Sequence, residues 1–540
     1  MESSLTRRRP YDAALVAVLV VALVVAIFIC NLKAGFHVDE LWTFGLSNSF
    51  YFPHIFWDNN MDVNWIDSDF IQSYLTVDPG QAFRFDSVIF NLSNDAHPPL
   101  YFFIIHCICS LFPGEFNKWF GLVPNLFFYL CSLLLFFRLS NKVFQSRSAA
   151  IFLVALWGFS PIALNLLTYI RMYLLLVTLA LAFLDVLYDA FADSTISISH
   201  CFRLFAISFL GFLTHYYFYI FLFFVSLFFA FYFWISKGWK SSLKYGAAVL
   251  SSVCLSFVVF PSALTNIFGN HYAESAASQS GIYVLLSRMW RFIHLSSVDL
   301  FFGSRLLLIT CFCITVGFCL YLICIRKIHL EHDELVYLVL VITSSLVFYV
   351  AACYISPFVS SRYTCLAYPG ILLSGFAMIW YFCNLNLEEC KIAGRLIGKT
   401  QSVFLLIATV VCLSEIVSFS FSPLYLYPKS ADNEAAIGSY VGSTGLFVSY
   451  DYYQLTAKLL EANQLSRIHA VIPEREAIRS FCKSEIIDSD NLIVYMNDSN
   501  CKELVLSELK DELGYSGFKK LPGYTQINDG TSCFVYVLYK

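Results

Sequence analysis

The chain has 540 residues, of which 58% are hydrophobic, 18% aromatic and 13% charged, with a mean hydropathy of +0.67. A charged fraction about half that of an ordinary soluble domain, with many apolar runs near the roughly 20 residues that cross a bilayer, excludes a soluble globular protein and predicts a polytopic α-helical membrane protein. A formal net charge of −4 offers nucleic acid no electrostatic footprint.

Arg7, Arg8 and Arg9 precede an apolar run over 13–30. The next residues are Asn31-Leu32-Lys33, which hold no small-residue cleavage site. The run is therefore expected to be an uncleaved first span with its arginines in the cytoplasm. A polar stretch, 33–96, follows with nine acids against two bases. It opens with Phe36-His37-Val38-Asp39-Glu40-Leu41-Trp42-Thr43 and closes with Asn94-Asp95-Ala96 before His97-Pro98-Pro99-Leu100-Tyr101. The apolar stretch 98–113 is short, begins at Pro-Pro and stops at Pro113-Gly114, so it is predicted to be an embedded helix that does not cross the membrane. Further spans are predicted near 119–137, 149–167, 169–189, 201–214, 216–235, 242–260, 304–325, 335–355, 362–382 and 401–421, about eleven crossings with the first.

Basic clusters at Arg138-Lys142-Arg147, Lys237-Lys240-Lys244, Arg326-Lys327 and Lys391-Arg395-Lys399 then all fall inside. The same count places the acidic loop, 169–173, 214–217, the loop 263–303 and 356–363 together on the outer face. Past residue 424 the composition changes: 117 residues with eleven bases and fifteen acids hold no run long enough to span. Apolar runs at 445–450, 468–472, 492–495 and 532–539 read as strands, and 453–463, 474–484 and 501–513 as helices. This predicts a small α/β domain, also outside. Fifteen of the eighteen cysteines precede residue 424, nearly all in apolar runs, where they serve as small packing residues. Cys482 and Cys501 are candidates for a bridge if their compartment is oxidising.

The polar motifs are chemically specific. Asp39-Glu40 supplies a carboxylate able to take the proton of an attacking hydroxyl; two solvated loop acids are the plain alternative. Two prolines after His97 suit a first helical turn, whose N–H groups lack partners anyway. Tyr169-Ile170-Arg171-Met172-Tyr173 puts an arginine where two spans meet, and Ser360-Ser361-Arg362-Tyr363 repeats the case at another outer helix start. A guanidinium fork matches a lipid phosphate, although an arginine snorkelling to headgroups has the same appearance. Thr214-His215-Tyr216-Tyr217 places a histidine between two apolar helices, as either a structural or a functional residue.

Taken together, the order Asp-Glu, His-Pro-Pro-Leu-Tyr, Arg-Met-Tyr, Thr-His-Tyr and Arg-Tyr over about 36–370 resembles the protein-mannosyltransferase-like membrane glycosyltransferases of GT-C fold. That group spans glycosyltransferase family 39 and the aminoarabinose- and galacturonosyltransferases. The resemblance implies about 11–13 transmembrane helices and a small extracytoplasmic C-terminal domain. It also implies a sugar carried on a polyprenyl phosphate and transferred with inversion to a lipid, glycan or protein acceptor on the periplasmic or lumenal face. Asp39 matches the family's catalytic aspartate, with Glu40 beside it. His97, Arg171, Tyr173, Arg362 and Tyr363 are implied around the donor phosphate; Asp95, Tyr101, Tyr169, His215 and Tyr216 are implied to line the acceptor cavity. The family commonly has an acid two residues before the Arg-Met-Tyr arginine, and here that position is Tyr169. Because arginines can serve the phosphate, no obligatory metal or other cofactor is expected, although the nine acids would permit a divalent ion. A transporter or flippase would favour internal repeats and broken midplane helices; the sequence has no visible repeat. A non-catalytic scaffold presenting the C-terminal domain would not require Asp39.

Overall fold

The computed structural model describes residues 2–55, 65–268, 281–301, 333–377, 425–485, 487, 489–497 and 500–540. The first helix, α1 (Glu2–Leu32), turns Val16, Val20, Val24 and Phe28 outward and packs Ala22, Ala26, Ile29 and Cys30 inward, as a span with one lipid face does. The polar stretch after it is built of three short helices: α2 (Val38–Asn48), α3 (Ser68–Leu75) and α4 (Phe85–Ser93). Helix α5 (Leu100–Ser110) follows the Pro-Pro pair. Its 11 residues measure roughly 16 Å at 1.5 Å per residue, too short to cross a bilayer core of about 30 Å. A short helix therefore occupies the stretch 98–113 in place of a full span.

Helices α6 (Trp119–Phe144), α7 (Arg147–Gly158), α8 (Pro161–Thr168), α9 (Tyr173–Ala192), α10 (Ile198–Phe212), α11 (Tyr217–Lys237), α12 (Trp239–Val259) and α13 (Ser262–Phe268) come next. The single span predicted at 149–167 is a pair, α7 and α8, bent by 51°. Pro161 cannot continue α7 and instead starts α8, which Ser160 caps through the Ala163 N–H. Helix α9 is buried along most of its length between α6 and α10 and forms the centre of the bundle. Among the described residues six helices are long and apolar enough to span, or seven with the bent pair. The spans predicted at 304–325 and 401–421 lie outside the described residues.

The segment 263–303, expected as a loop, contains instead a 20-residue helix, α14 (Ile282–Phe301), packed on α8 and on α15 (Asp333–Ile355). Arg288, Arg291, His294 and Asp299 lower its hydropathy, which hides it from an apolar-run criterion. Helix α16 (Cys365–Ala377) is the described part of the span predicted at 362–382.

The C-terminal region begins with α17 (Ser430–Gly438) and forms a five-stranded sheet of β1 (Thr444–Val448), β2 (Arg467–Val471), β3 (Asn491–Met496), β4 (Gly517–Lys520) and β5 (Phe534–Tyr539), in the order β2-β1-β3-β5-β4. β1 runs parallel to β2 and β3, while β5 is antiparallel to β3 and β4. The turn helix at Leu459–Ala462 (α18), α19 (Arg475–Ser484) and α20 (Lys502–Leu513) complete it. The Cys482–Cys501 bridge, left open by the sequence, is not formed in this structure.

The sheet is fastened to the polar stretch. Ile66 and Ile468 exchange both backbone hydrogen bonds, at 2.9 and 2.7 Å, extending the sheet by one bridge. Trp65 Nε1 donates to Glu485 at 2.7 Å, and the Trp65 ring lies 3.9 Å from the Arg467 guanidinium. Trp42 Nε1 donates to Thr456, and the Val38 N–H donates to the Asp529 carbonyl at 2.6 Å. Residue 530 approaches so closely that a Cβ there would lie 2.2 Å from Val38, and its φ of +107° also suits glycine. The polar stretch and the C-terminal sheet therefore share one face of the molecule.

Candidate active site

The site is built on the first turn of α2. His37 precedes it in extended conformation, its Nδ1 accepting from the Asp39 N–H at 3.1 Å, while Glu40 accepts from the His37 N–H at 2.6 Å. This is a capping box with histidine in place of serine, and two acids in the first turn also suit the helix dipole. Burial, with Arg362, Arg171 and Lys33 adding to it, pushes His37 down to about 4 against the pull of Asp39. The ring is thus neutral and its 3.7 Å approach to the Asp39 carboxylate is not an ion pair.

The Asp39 carboxylate meets residues from two other elements. Its Oδ2 accepts from the Tyr169 hydroxyl at 2.5 Å and from Arg362 Nη1. The same Nη1 donates to the Tyr169 oxygen at 2.6 Å, and Arg362 Nη2 donates to the Tyr363 hydroxyl at 3.3 Å. Burial alone would push the Asp39 carboxyl up. The Arg362 guanidinium, then Arg171 and the Tyr169 hydroxyl, more than offset it and hold the group well below the usual carboxylate range.

Glu40 points the other way. It is fully buried, pairs with Lys33 at 3.0 Å and accepts from the Ile170 N–H at 2.7 Å. That N–H is free for it because the chain breaks between α8 and α9. Its oxygens are taken up in fixing α2 to the 169–173 break, so of the two neighbouring acids it is Asp39 that faces Arg362.

Arg171 is buried at the same break. Its Nη1 donates to the Asp39 carbonyl and to Thr43 Oγ1, each at 3.1 Å, and its Nη2 contacts His97 Nε2 at 2.8 Å. Arginine only donates, so His97 Nε2 accepts and the ring proton sits on Nδ1, which contacts Asp95 Oδ2 at 2.6 Å. His97, expected on the phosphate, thus has both nitrogens engaged in an Asp95–His97–Arg171 chain. Asp95 also faces His54 at 3.6 Å. Its burial pushes it up, but His97 and His54 hold it below the usual range.

Rings close the remaining sides. Tyr169 lies between Tyr425, stacked at 4.2 Å, and Tyr173, stacked at 6.0 Å. His215 sits 6.1 Å from His97 and 5.4 Å from Tyr173, and Tyr217 lies 5.3 Å from Tyr363. Tyr216 joins the edge, its hydroxyl accepting from Asn266, which also donates to the Asp95 carbonyl at 2.8 Å. Tyr101 is not a lining residue. It is wholly buried and donates to Asn125, whose amide holds the Leu167 and Tyr169 carbonyls, so it supports the break from behind.

Of the expected site residues, Asp39, Tyr169, Arg171, Arg362, Tyr363, Tyr173, His97, Asp95 and His215 are brought together. His37, Thr43 and Tyr425 join them without having been marked by the sequence motifs. His37 stands two residues before the Asp39-Glu40 pair, where a helix start could have been sought, whereas nothing in sequence marks Tyr425, which enters from beyond the last predicted span. Two buried guanidinium Nε atoms, of Arg171 and Arg362, have no hydrogen-bond partner. A buried donor without an acceptor is costly. No cluster of three histidine, cysteine, aspartate or glutamate side chains suited to a metal occurs among the described residues.

No protein-family profile matches this chain, and no curated protein matches it in sequence. Solved structures do match it. ArnT from Cupriavidus metallidurans bound to undecaprenyl phosphate superposes with a TM-score of 0.53 at 11% identity, covering 97% of each chain. Its apo state gives 0.53 at 10% identity, covering 98% of each. The oligosaccharyltransferase of Archaeoglobus fulgidus gives 0.46 at 12% identity, covering 92% of this chain and 68% of that one. The match to ArnT over nearly the whole length of both chains gives this protein the GT-C fold of membrane glycosyltransferases.

Proposed function

We propose that this protein is a membrane glycosyltransferase that moves a sugar from a polyprenyl-phosphate carrier to an acceptor hydroxyl, inverting the anomeric carbon, with Asp39 as general base. The observation that carries this reading is the convergence of one buried carboxylate, Asp39, with two arginines that retain unsatisfied donors. An acceptor hydroxyl must lose a proton as it attacks, and a carboxylate takes it. The leaving prenyl phosphate gains negative charge, which preorganised guanidinium groups stabilise; the reading therefore requires no obligatory metal. The full-length fold match to a protein solved with undecaprenyl phosphate supports the class of carrier.

In this mechanism the capping box and the Glu40–Lys33 pair hold α2, and Arg171 holds the Asp39 carbonyl. Tyr169 fixes the carboxylate by its hydroxyl, and Arg362 meets the phosphate. The acceptor is a hydroxyl of a lipid, glycan or protein. The catalytic face is the extracytoplasmic one, periplasmic if the host is a bacterium and the membrane its inner membrane.

The test is transfer from a radiolabelled prenyl-phosphate sugar into membranes lacking the native protein. Asp39→Asn keeps size and hydrogen bonding but removes the proton acceptor. Transfer should fall by about 10²–10⁴ while membrane insertion stays normal and prenyl phosphate is still retained. Near-normal transfer by this variant would overturn the assignment.

A further inference from the structure

Resting on that reading, we infer that Arg362 is a latch released by the donor itself: without donor its guanidinium occupies the Asp39 carboxylate, and the phosphate of an arriving prenyl-linked sugar draws it away. The base then becomes available only after the donor is in place, and turnover is ordered, donor first and acceptor second.

Three features carry this. The first is that the base is occupied. Oδ2 of Asp39 already accepts from both Arg362 Nη1 and the Tyr169 hydroxyl. A carboxylate neutralised by a guanidinium is a weak base, because taking a proton means losing the ion pair.

The second is an asymmetry between the partners. Asp39 sits on a turn fixed by the His37 cap, the Arg171 contact to its carbonyl, the Glu40–Lys33 pair and the Val38–Asp529 backbone bond. Arg362 sits on a three-residue turn, Ser361–Tyr363, at the end of a long, bendable side chain. If the pair opens, Arg362 is the side that moves.

The third is that Arg362 is under-used. Only Nη1 touches Asp39, Nη2 makes one 3.3 Å contact to Tyr363, and Nε is buried with no acceptor. A phosphate presents two oxygens to the Nε–Nη edge and replaces a one-atom contact with a fork. Arg171 lacks this freedom, since both of its terminal nitrogens are held by Asp39, Thr43 and His97.

In the transfer step the acceptor oxygen bonds to the anomeric carbon as its proton passes to Asp39. The bond from that carbon to the phosphate oxygen breaks with its electron pair on the prenyl phosphate. The added charge keeps Arg362 engaged there. When the prenyl phosphate leaves and Asp39 gives its proton to water, Arg362 returns.

The test is infrared difference spectroscopy on the full-length protein, with isotope-labelled aspartate and Asp39→Asn to assign the carboxylate band. Undecaprenyl phosphate should shift the Asp39 band to the position it has in lipid-free Arg362→Ala, and should not shift it further in that variant. Undecaprenol and phosphatidylglycerol should leave the wild-type band in place. Arg362→Lys, which keeps the charge but not the fork, should retain radiolabelled undecaprenyl phosphate about tenfold more weakly. Bound undecaprenyl phosphate with an unmoved Asp39 band overturns the latch and leaves the donor reading intact. An equal shift from undecaprenol or phosphatidylglycerol also overturns it. If undecaprenyl phosphate is not retained at all, the donor reading fails and the latch fails with it.

Discussion

Tyr169 donates its hydroxyl to the Asp39 carboxylate at 2.5 Å across 130 residues of sequence, and accepts from Arg362 at the same oxygen. Tyr169 is a neutral phenol at this position. It supplies a hydrogen bond to Asp39 without placing a second negative charge beside it. Tyr169→Phe should lower transfer about tenfold or more, the scale of one hydrogen bond to a charged group, with little change in fold. Transfer assays beside thermal unfolding of the purified protein separate the two effects.

Glu40 and Lys33 form an ion pair with no exposed surface on either side chain. Breaking such a pair leaves an unmatched buried charge, worth roughly 3–5 kcal/mol. Glu40→Gln should therefore depress the unfolding temperature and, through the loosened α2 turn, transfer as well. Adding Lys33→Met to Glu40→Gln should recover most of the stability, because no orphan charge remains. A double variant no more stable than Glu40→Gln would show that the pair does not act as a unit.

His97 sits between Asp95 and Arg171 with a defined tautomer. Glutamine offers a carbonyl to one neighbour and an amide N–H to the other. Transfer by His97→Gln should exceed that of His97→Ala by about tenfold. Equal activities would sever His97 from the positioning of Arg171.

Glu461 is buried in the C-terminal region, and burial pushes it up to about 7 even though Lys458 pulls the other way. Lys458 is 2.7 Å from Asp529 but 3.7 Å from Glu461, so its charge is mainly directed elsewhere. A carboxyl whose folded value is raised prefers its neutral form in the fold. Its contribution is fullest below about 4.5 and declines as pH rises towards 7. Stability of the C-terminal sheet, read by hydrogen exchange of β1 and β3, should decline over that window in the wild-type protein. Glu461→Gln should flatten the decline.

Ser68 begins α3 and Ser516 lies beside β4; both are exposed on the shared face. Cysteine probes at these positions, in a protein without its native cysteines, should be labelled from the same side of the membrane. That side should be the outer one if the count of basic loops holds. Labelling of the two from opposite sides would contradict the Ile66–Ile468 bridge.

Much of this was legible in the sequence because strong local signals wrote it. Uniform apolar runs gave α1, α6, α9, α11 and α12, and strict apolar runs gave β1, β2, β3 and β5. The Pro-Pro pair and the short apolar run gave α5. Asp39, Arg171 and Arg362 were legible because a charged group beside a span needs a reason. Other features were set by tertiary contacts. β4 is a four-residue, half-exposed edge strand without an apolar run. Helix α14 is too polar for a hydropathy criterion. Glu40 and Asp39 are neighbours in sequence, and only the helical turn sends one towards Lys33 and the other towards Arg362. Tyr425 entered the site through chain topology alone.

The strap at 425–427 holds more than its length suggests. Tyr425 and Tyr427 have left-handed backbones, φ 48° and 47°, a strained state for such side chains. The Tyr425 and Leu426 carbonyls accept from Lys33 and from the Ala34 and Gly35 N–H groups. The first residues of the polar stretch and the first residues after residue 424 are thus one knot. The place where composition changes most sharply is therefore the wrong place to cut. A chain truncated there would carry every run long enough to span yet lose the ring stacked on Tyr169, the carbonyl bonded to Lys33 and the backbone that tethers Val38. Composition draws the seam at 424, but the two halves of the molecule are sewn together directly beside the Asp39 carboxylate.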